Sequence, residues 1–305
     1  MTRFLKNIIL FSGFVLIVTL ISFYLTIEIN RKLYRKITFN NDINTLVIGD
    51  SHTELAINDS LLTNTLNIST PAEGYIFTYR KLQNIFKNNN KIKSVMLGVS
   101  YHNLSSYYDK YIYEEDPYSL ISQHISLIEF DDFPVFFKSL KINNMVTIYR
   151  NSLKNIIKYK SGKYPFIGGF HVEKIHDIEL STERILKRIN SQYFLDNKQL
   201  GLSSINISYL DKIVELCREQ NINIVFLNTP LYKDYYSRIP AQFITVLDTI
   251  VKDYGVTEIS FNGLDLPSDC FLPDGDHLSY KGAMLTTEYL VEFLKSKSYY
   301  NNYNN

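Results

Sequence analysis

The sequence predicts an α/β protein in which a parallel sheet of five strands is covered by helices on both faces. Short apolar runs alternate with helical patterns over much of the chain, which is typical of parallel sheets. An uncharged apolar stretch near the amino terminus predicts one further helix, which precedes the first strand along the chain. Two polar clusters, one after the first strand and one before the last helix, point to a site assembled by folding.

The composition narrows the class of protein. The chain has 305 residues, of which 45% are hydrophobic and 21% charged, as expected for a globular protein. Its net charge of +1 argues against a nucleic-acid partner, since nucleic-acid binders usually carry a basic excess. Cys217 and Cys270 form neither a CxxC motif nor a zinc spacing, so we expect no metal and no cofactor. A single disulfide between them is compatible with the sequence.

The apolar stretch covers residues 8–27 and contains no charge. About twenty helical residues span roughly 30 Å, the thickness of the hydrocarbon core of a bilayer. A cleaved signal peptide is the alternative, but its apolar region is shorter and ends in small residues. The sequence therefore predicts a transmembrane anchor over residues 1–30, followed by a linker over 31–44.

Basic residues flank the predicted anchor on both sides: Arg3 and Lys6 precede it, and Arg31, Lys32, Arg35 and Lys36 follow it. The positive-inside rule applied to these residues leans toward a cytoplasmic carboxyl-terminal domain.

The five predicted strands cover residues 45–48, 65–69, 92–100, 222–230 and 256–261. Helices are predicted from Ser51, where Glu54 gives the spacing of a capping box, and from Tyr75. Three more are predicted over residues 207–219, 242–253 and 278–290. The α/β domain thus extends over residues 45–295, and a low-complexity tail over 296–305 is expected to be flexible.

Residues 101–201 interrupt this alternation and predict a largely helical insertion after the third strand. Ligands of open α/β sheets bind at the carboxyl ends of the strands, so an insertion there is placed to shape a substrate pocket. A purely structural helical cap is the equally weighted alternative.

Ser51, His277 and Asp274 are the candidate catalytic residues. A serine hydroxyl needs a base to take its proton, and the base needs a partner that holds its tautomer. Ser51 lies where the first strand meets a helix, and His277 precedes the last helix. Asp274 is favoured over Asp276 as partner, because three residues of loop let its side chain fold back to the ring. A helix-capping role for Ser51 is the structural alternative.

The blocks Gly49-Asp50-Ser51 and Asp274-Gly275-Asp276-His277 resemble the first and last motifs of the SGNH, or GDSL-type, hydrolase superfamily. The resemblance implies a three-layer α/β/α sandwich around a flavodoxin-like parallel sheet of five strands. It also implies that Ser51 is the nucleophile, His277 the base and Asp274 its partner. The backbone N–H groups of Ser51 and Gly74 would then form an oxyanion hole.

One block departs from the superfamily pattern. The third block usually reads Gly-x-Asn-Asp, and its Asn donates a hydrogen bond to the oxyanion. Here the segment reads G-V-S-Y-H-N, with Ser100 at the Asn position, so Ser100, His102 or Asn103 is left to supply this donor. Loss of one donor typically costs about 2.7–4 kcal/mol in the transition state.

The anchor and the altered third block make the chain similar to membrane-tethered SGNH branches that acylate bacterial surface polymers. That resemblance implies a serine esterase or O-acyltransferase acting on acylated carbohydrate or another polymer of the cell envelope. It further implies an extracytoplasmic domain, against the positive-inside rule, and a membrane-bound O-acyltransferase as partner. A noncatalytic subunit of an acylation complex and a lysophospholipase-like hydrolase are the alternatives.

Overall fold

The computed structural model describes residues 2–35, 37–109, 124, 126–136, 142–161, 167–173 and 179–296. The predicted tail lies outside the described residues beyond Ser296, as do parts of the predicted insertion. The chain divides into two units. The first comprises Met1–Ile37 and Asp116–Phe166, and the second comprises Thr38–Glu115 and Ile167–Asn305.

The second unit contains a parallel five-stranded sheet with the strand order β2-β1-β3-β6-β7. This confirms the α/β class and the five-stranded parallel sheet. A short antiparallel hairpin, β4–β5, stands apart from the sheet. The strands are β1 (Thr45–Ile48), β2 (Thr65–Asn67), β3 (Ser94–Gly98), β4 (Phe194–Leu195), β5 (Lys198–Gln199), β6 (Asn223–Asn228) and β7 (Thr257–Ser260).

The helices alternate with these strands along the second unit. They are α1 (Thr2–Tyr34), α2 (Ser51–Ala56), α3 (Tyr75–Asn88), α4 (Phe133–Phe136), α5 (Ile142–Lys160), α6 (Thr182–Tyr193), α7 (Ser204–Glu219), α8 (Lys233–Tyr236), α9 (Ala241–Tyr254) and α10 (Tyr280–Ser296). Short 3₁₀ turns cover Asp59–Leu61, Tyr101–Leu104, Phe130–Asp132 and Ser268–Cys270.

A buried cluster joins the sheet to the last helix. Val47, Met96 and Val225, from three neighbouring strands, share it with Leu290 and Leu294 of α10. Strands with apolar residues on consecutive positions, as in these, are typical of a parallel sheet buried on both faces. Packing of α10 on α2 brings the amino-terminal and carboxyl-terminal motifs of the α/β unit into one region.

The second strand is shorter than the predicted 65–69 because Asn67 ends it. The Asn67 amide donates hydrogen bonds to the carbonyls of Thr53 (3.0 Å) and Ile57 (2.8 Å). Its side-chain oxygen accepts from the Ser69 N–H at 2.9 Å. The Ile68 N–H still donates to the Val47 carbonyl at 2.8 Å, and the buried asparagine side chain ties the end of the strand to α2 and to the turn at Ser69.

The two cysteines do not form a disulfide. Cys217 and Cys270 are both free thiols, and both are buried. Burial raises the pKa of the Cys217 thiol to about 12, which makes it an unreactive part of the core.

The first unit contains α1, which confirms an apolar amino-terminal helix. The helix runs from Thr2 to Tyr34, and its most apolar window has a mean hydropathy of 2.6 with no buried residue. By length and composition it can cross a membrane, a test that a signal sequence also passes. It continues past residue 30, so the first residues of the predicted linker are helical.

Gly282 lets α10 approach the loop that precedes it. A Cβ atom at Gly282 would lie 2.1 Å from the carbonyl oxygen of Cys270. The Ser279 N–H donates to the same carbonyl at 2.9 Å. The Cys270 backbone therefore fixes both the start of α10 and the loop that carries His277.

We predict that Gly282→Ala lowers the stability of the protein, although alanine is the better helix former by about 1 kcal/mol. The added methyl group meets backbone atoms that cannot rotate away, and such overpacking costs about 1–3 kcal/mol. Thermal unfolding of the full chain in detergent measures the effect. Gly263→Ala is the control, since a Cβ there meets nothing within 4 Å. An unchanged or raised midpoint for Gly282→Ala would contradict the close approach.

Candidate active site

Ser51 is the first residue of α2, directly after β1, and Asp50 is the helix cap. The Asp50 carboxylate accepts a hydrogen bond from the His52 N–H at 2.9 Å. The predicted capping role of Ser51 is therefore wrong, because the stronger acceptor one residue earlier takes that place. The Ser51 hydroxyl is left for another partner.

That partner is His277, which lies 226 residues further along the chain. The Ser51 Oγ and the His277 Nε2 are 2.9 Å apart. On the other side of the ring, the His277 Nδ1 is 2.8 Å from Asp274 Oδ2. A carboxylate can only accept, so Nδ1 carries the proton and Nε2 presents its lone pair to the serine.

The Asp274 carboxylate is held by its own loop. Asp274 Oδ1 accepts the N–H groups of Asp276 (3.1 Å) and His277 (3.2 Å). Gly275 supplies the turn with φ of +67°, a conformation that side chains disfavour. Burial raises the pKa of Asp274, but the His277 charge and hydrogen bond outweigh it and lower the pKa below its usual value. The carboxylate is thus ionised and oriented toward the ring.

Asp276, the competing candidate for the partner of His277, points elsewhere. Its Oδ2 accepts hydrogen bonds from Arg188 Nε (2.5 Å) and Gln192 Nε2 (3.1 Å). Burial raises the pKa of Asp276, but the His52 and Arg188 charges lower it well below the ordinary range. The two acids of the loop therefore have different partners: Asp274 pairs with His277, and Asp276 pairs with α6.

His52 fills the space between the two pairs. Its side chain is 1% exposed, and its ring lies 5.0 Å from the His277 ring and 4.3 Å from the His102 ring. His52 Nε2 is 3.2 Å from Asp276 Oδ1, at ion-pair distance but out of hydrogen-bond alignment, since neither atom has a hydrogen-bond partner among the described residues. The Nδ1 atom is 3.4 Å from the Thr229 hydroxyl. Both nitrogens therefore face an oxygen.

The charge of Asp276 decides the protonation of His52. Burial lowers the pKa of His52, but the Asp276 carboxylate and, more weakly, the Asp50 carboxylate raise it above its ordinary value. Coulombic attraction does not require hydrogen-bond alignment, so the carboxylate acts on His52 at this distance without a hydrogen bond. The Asp276 carboxylate thus favours the charged form of His52, next to the Ser51–His277 pair.

The Asp50 carboxylate accepts hydrogen bonds from residues of the altered third block. Its Oδ2 accepts from His102 Nε2 (2.9 Å), Asn103 Nδ2 (2.9 Å) and the Tyr108 hydroxyl (2.8 Å). Burial raises the pKa of Asp50, but the charge and hydrogen bond of His102 lower it below the ordinary range. The end of β3 and the following 3₁₀ turn are in this way tied to the start of α2.

Three of the five candidate oxyanion donors, His102, Ser100 and Asn103, are engaged in this network. The Ser100 N–H donates to Asn103 Oδ1 at 2.9 Å, and the Asn103 amide donates to Asp50. Both residues are buried. As arranged here, Ser100 and Asn103 hold the loop rather than offer a donor to a ligand.

The other two predicted donors are backbone N–H groups at helix starts. Ser51 begins α2, and Gly74 is the residue that precedes α3. The Thr70 N–H donates to the Gly49 carbonyl at 3.1 Å, which joins the loop before α3 to the turn before α2. Among the described residues, the N–H groups of Ser51 and Gly74 have no acceptor. Free N–H groups at helix starts favour an anion.

A buried ion pair lies beneath this loop and is not predicted by the sequence analysis. Glu73 and Lys81 form an ion pair with 0% and 1% of their side chains exposed. Lys81 Nζ also donates to the Ile68 (3.0 Å) and Ile167 (3.1 Å) carbonyls. Burial lowers the pKa of Lys81 below its usual value, although the charge and hydrogen bond of Glu73 act in the opposite direction. The pair fixes the turn that ends at Gly74; the only sequence signal was a lysine among the apolar residues of α3.

Two groups of side chains have the spacing of metal ligands: His52 with His102 and Asp276, and Asp274 with Asp276 and His277. In the second group, the ring and carboxylate atoms already pair with each other. In the first group, His102 Nε2 pairs with Asp50, and Asp276 Oδ2 pairs with Arg188. The positively charged guanidinium of Arg188 is therefore an immediate neighbour of this group. The arrangement fits proton donors and acceptors better than a metal centre.

A pocket of about 320 Å³ opens on the outer side of Asp274. Arg184, Lys187 and Arg188 of α6 line it together with Leu272 and Pro273. Arg184 and Lys187 have no acidic partner among the described residues. The pocket therefore presents positive charge beside the Asp274–His277 pair.

The comparisons with known proteins add little to this geometry. A protein-family model without a functional description matches residues 181–298, which is less than half of the chain. The match includes α6, the Asp274–His277 loop and α10, but not Ser51. No curated protein matches the chain.

Proposed function

We propose that the protein is a membrane-anchored serine esterase or O-acyltransferase of the SGNH type. The observation that carries the proposal is the continuous chain of contacts from Ser51 Oγ through His277 to Asp274, at 2.9 and 2.8 Å. Nucleophile, base and orienting carboxylate in hydrogen-bond reach of one another are the signature of an activated serine.

In the first half-reaction, Ser51 Oγ attacks the carbonyl carbon of an ester while His277 Nε2 takes the hydroxyl proton. The oxyanion of the tetrahedral intermediate receives hydrogen bonds from the free N–H groups of Ser51 and Gly74. His277 then returns the proton to the departing alcohol oxygen, the ester C–O bond breaks, and the acyl group remains on Ser51. Asp274 stabilises the imidazolium between these two proton transfers.

In the second half-reaction, an acceptor hydroxyl attacks the acyl-serine and gives its proton to His277 Nε2. Collapse of the second intermediate breaks the Ser51 ester bond, and Ser51 Oγ recovers the proton from His277. Water as acceptor gives hydrolysis, and a sugar hydroxyl gives O-acyl transfer. The same residues serve both outcomes.

The proposed location and substrate class follow from the resemblance to membrane-tethered SGNH branches and from the apolar helix α1. A serine domain tethered by a helix able to cross a membrane suits ester groups on carbohydrate or another polymer of the cell envelope, with the domain outside the cytoplasm. A membrane-bound O-acyltransferase is the proposed partner and source of acyl groups.

A noncatalytic subunit of an acylation complex is the second candidate, and one observation favours it. His102 and Asn103 of the altered third block turn toward Asp50 rather than toward a ligand, and of the candidate donors that the structure describes, the backbone N–H groups of Ser51 and Gly74 remain for an oxyanion. A site of this kind would bind an acylated polymer without turning it over.

We predict that a fluorophosphonate probe labels the full-length protein in detergent and that Ser51→Ala abolishes this labelling. His277→Ala is expected to lower the labelling rate more than about 1000-fold, and Asp274→Asn at least about 100-fold, because base and orienter activate the hydroxyl together. Labelling rates followed by in-gel fluorescence measure the effect.

Ser237→Ala and His171→Ala are the matched controls, since both residues are exposed and contact neither Ser51 nor His277. Both variants should be labelled like the wild type. A folded wild type that resists the probe would contradict the esterase and favour the noncatalytic subunit.

We further predict that His52→Gln moves the acid limb of the labelling profile to higher pH. The acid limb depends on the charges around the Ser51–His277 pair, and the Asp276 carboxylate raises the pKa of His52 and so favours a positive charge there. Removing one charge a few ångströms away typically shifts such a midpoint by about one pH unit or more.

The double variant His52→Gln with Asp276→Asn removes one charge of each sign and should return the midpoint toward that of the wild type. Lys252→Gln, a change at an exposed lysine in the last turn of α9, is the control and should leave the midpoint in place. A His52→Gln profile that only loses amplitude at an unchanged midpoint would show that His52 acts by packing and not by charge.

A further inference from the structure

Helix α5 (Ile142–Lys160) packs against the carboxyl-terminal part of α1. The Ser22 hydroxyl and the Tyr149 hydroxyl are 2.7 Å apart, and Asn30 Nδ2 donates to the Ser152 carbonyl at 3.0 Å. The Phe23 and Tyr149 rings stack with their centroids 6.2 Å apart. One face of α5 is thus defined by its contacts with α1.

A neighbouring face of α5, about 40–140° around the helix axis from Tyr149 and Ser152, carries an apolar stripe that the described residues leave uncovered. Val146 is 61% exposed, Leu153 37% and Ile157 67%. Their spacings of seven and four residues place them within about 40° of one another around the helix axis. Exposed apolar residues are common singly, but an aligned set indicates a surface that has a partner.

The charges of α5 are all positive. The helix contains no Asp or Glu, and its four basic residues are exposed: Arg150, Lys154, Lys158 and Lys160. Arg150 and Lys160 lie at the two edges of the stripe, about 20–60° from its residues, and Lys154 and Lys158 lie further round on one side, about 60–140° away. An exposed apolar stripe with basic flanks is the pattern of a helix that lies in the interface of a bilayer.

The position of α5 along α1 agrees with such a partner. The uncharged stretch of α1 ends at Ile27, and the contacts with α5 begin at Ser22 and continue to Asn30. The contact region therefore straddles the level at which a membrane-spanning α1 would leave the hydrocarbon core. Helix α5 begins its contact with α1 where headgroups and acyl chains meet.

We propose that α5 lies in the lipid–water interface of the membrane that α1 enters. The stripe formed by Val146, Leu153 and Ile157 is buried at the boundary of headgroups and acyl chains, and the basic residues contact anionic headgroups. This proposal rests on α1 spanning the membrane and is independent of the chemistry proposed for Ser51. It gives the protein a second membrane contact beside its anchor.

The absence of tryptophan from the sequence makes a direct test simple. Ile157→Trp and Val146→Trp each introduce a single reporter into the full-length protein, which is reconstituted in nanodiscs of phosphatidylcholine and phosphatidylglycerol. We expect blue-shifted emission and strong quenching when the lipids carry bromine on their acyl chains. Lys158→Trp, at nearly the same axial position but turned about 100° from Ile157, is the matched control and should be quenched several-fold less.

The role of charge is tested in the Ile157→Trp background. Lys154→Glu should weaken quenching in discs that contain phosphatidylglycerol and leave it unchanged in discs of phosphatidylcholine alone. Solvent-like emission of Ile157→Trp without bromine quenching would overturn the proposal. Blue-shifted emission without quenching would also overturn it, since a protein partner would then cover the stripe.

Discussion

The buried carboxylate of Asp50 is the constraint on which the arrangement around Ser51 depends. It caps α2 through the His52 N–H and accepts three further hydrogen bonds from His102, Asn103 and Tyr108. Hydrogen bonds to a charged group contribute about 1.5–3 kcal/mol each, and a buried carboxylate without them would be strongly destabilising. Because Asp50 satisfies the helix start, the adjacent serine hydroxyl is not consumed as a cap.

The same network gives the polar groups of the segment after β3 their hydrogen-bond partners. His102 and Asn103 turn toward Asp50, and Asn103 in turn holds the Ser100 N–H. The loop after β3 is therefore tied to the start of α2 through these hydrogen bonds. In the proposed mechanism, stabilisation of the oxyanion falls to the backbone N–H groups at the starts of α2 and α3, which cannot be lost by a side-chain substitution.

Sequence reasoning predicted the elements that depend on local pattern and failed where partners are distant. The alternating apolar runs gave the sheet, and the spacing of Asp274 and His277 gave the correct partner over Asp276, since both are encoded within a few residues. The ion pair of Asp276 with Arg188 links residues 88 positions apart, and no local pattern marks it. The spacing of Ser51 and Glu54 is that of a capping box, which suggests a helix cap at Ser51. Residue type alone does not show that the preceding Asp50, whose carboxylate accepts four hydrogen bonds, takes that place.

Burial is the other quantity that local pattern did not reveal. Glu73 and Lys81 look like surface charges in the sequence, yet they pair in the core and fix the loop before α3. His52 likewise has no motif of its own, and its raised pKa follows from its position near the Asp276 and Asp50 carboxylates. Functional electrostatics in this protein is set by contacts between α2, α6 and the Asp274–His277 loop, which come together only on folding.

The central claim is that Ser51 forms an acyl-enzyme, and trapping that species tests it most directly. The full-length protein in detergent would be mixed with p-nitrophenyl acetate, quenched in acid within the first turnover, digested and analysed by mass spectrometry. The account predicts one acetyl group on the peptide that contains Ser51 and none on that peptide in Ser51→Ala. Release of p-nitrophenol with the acetyl group on another residue, or with no acetylated peptide in either protein, would contradict it.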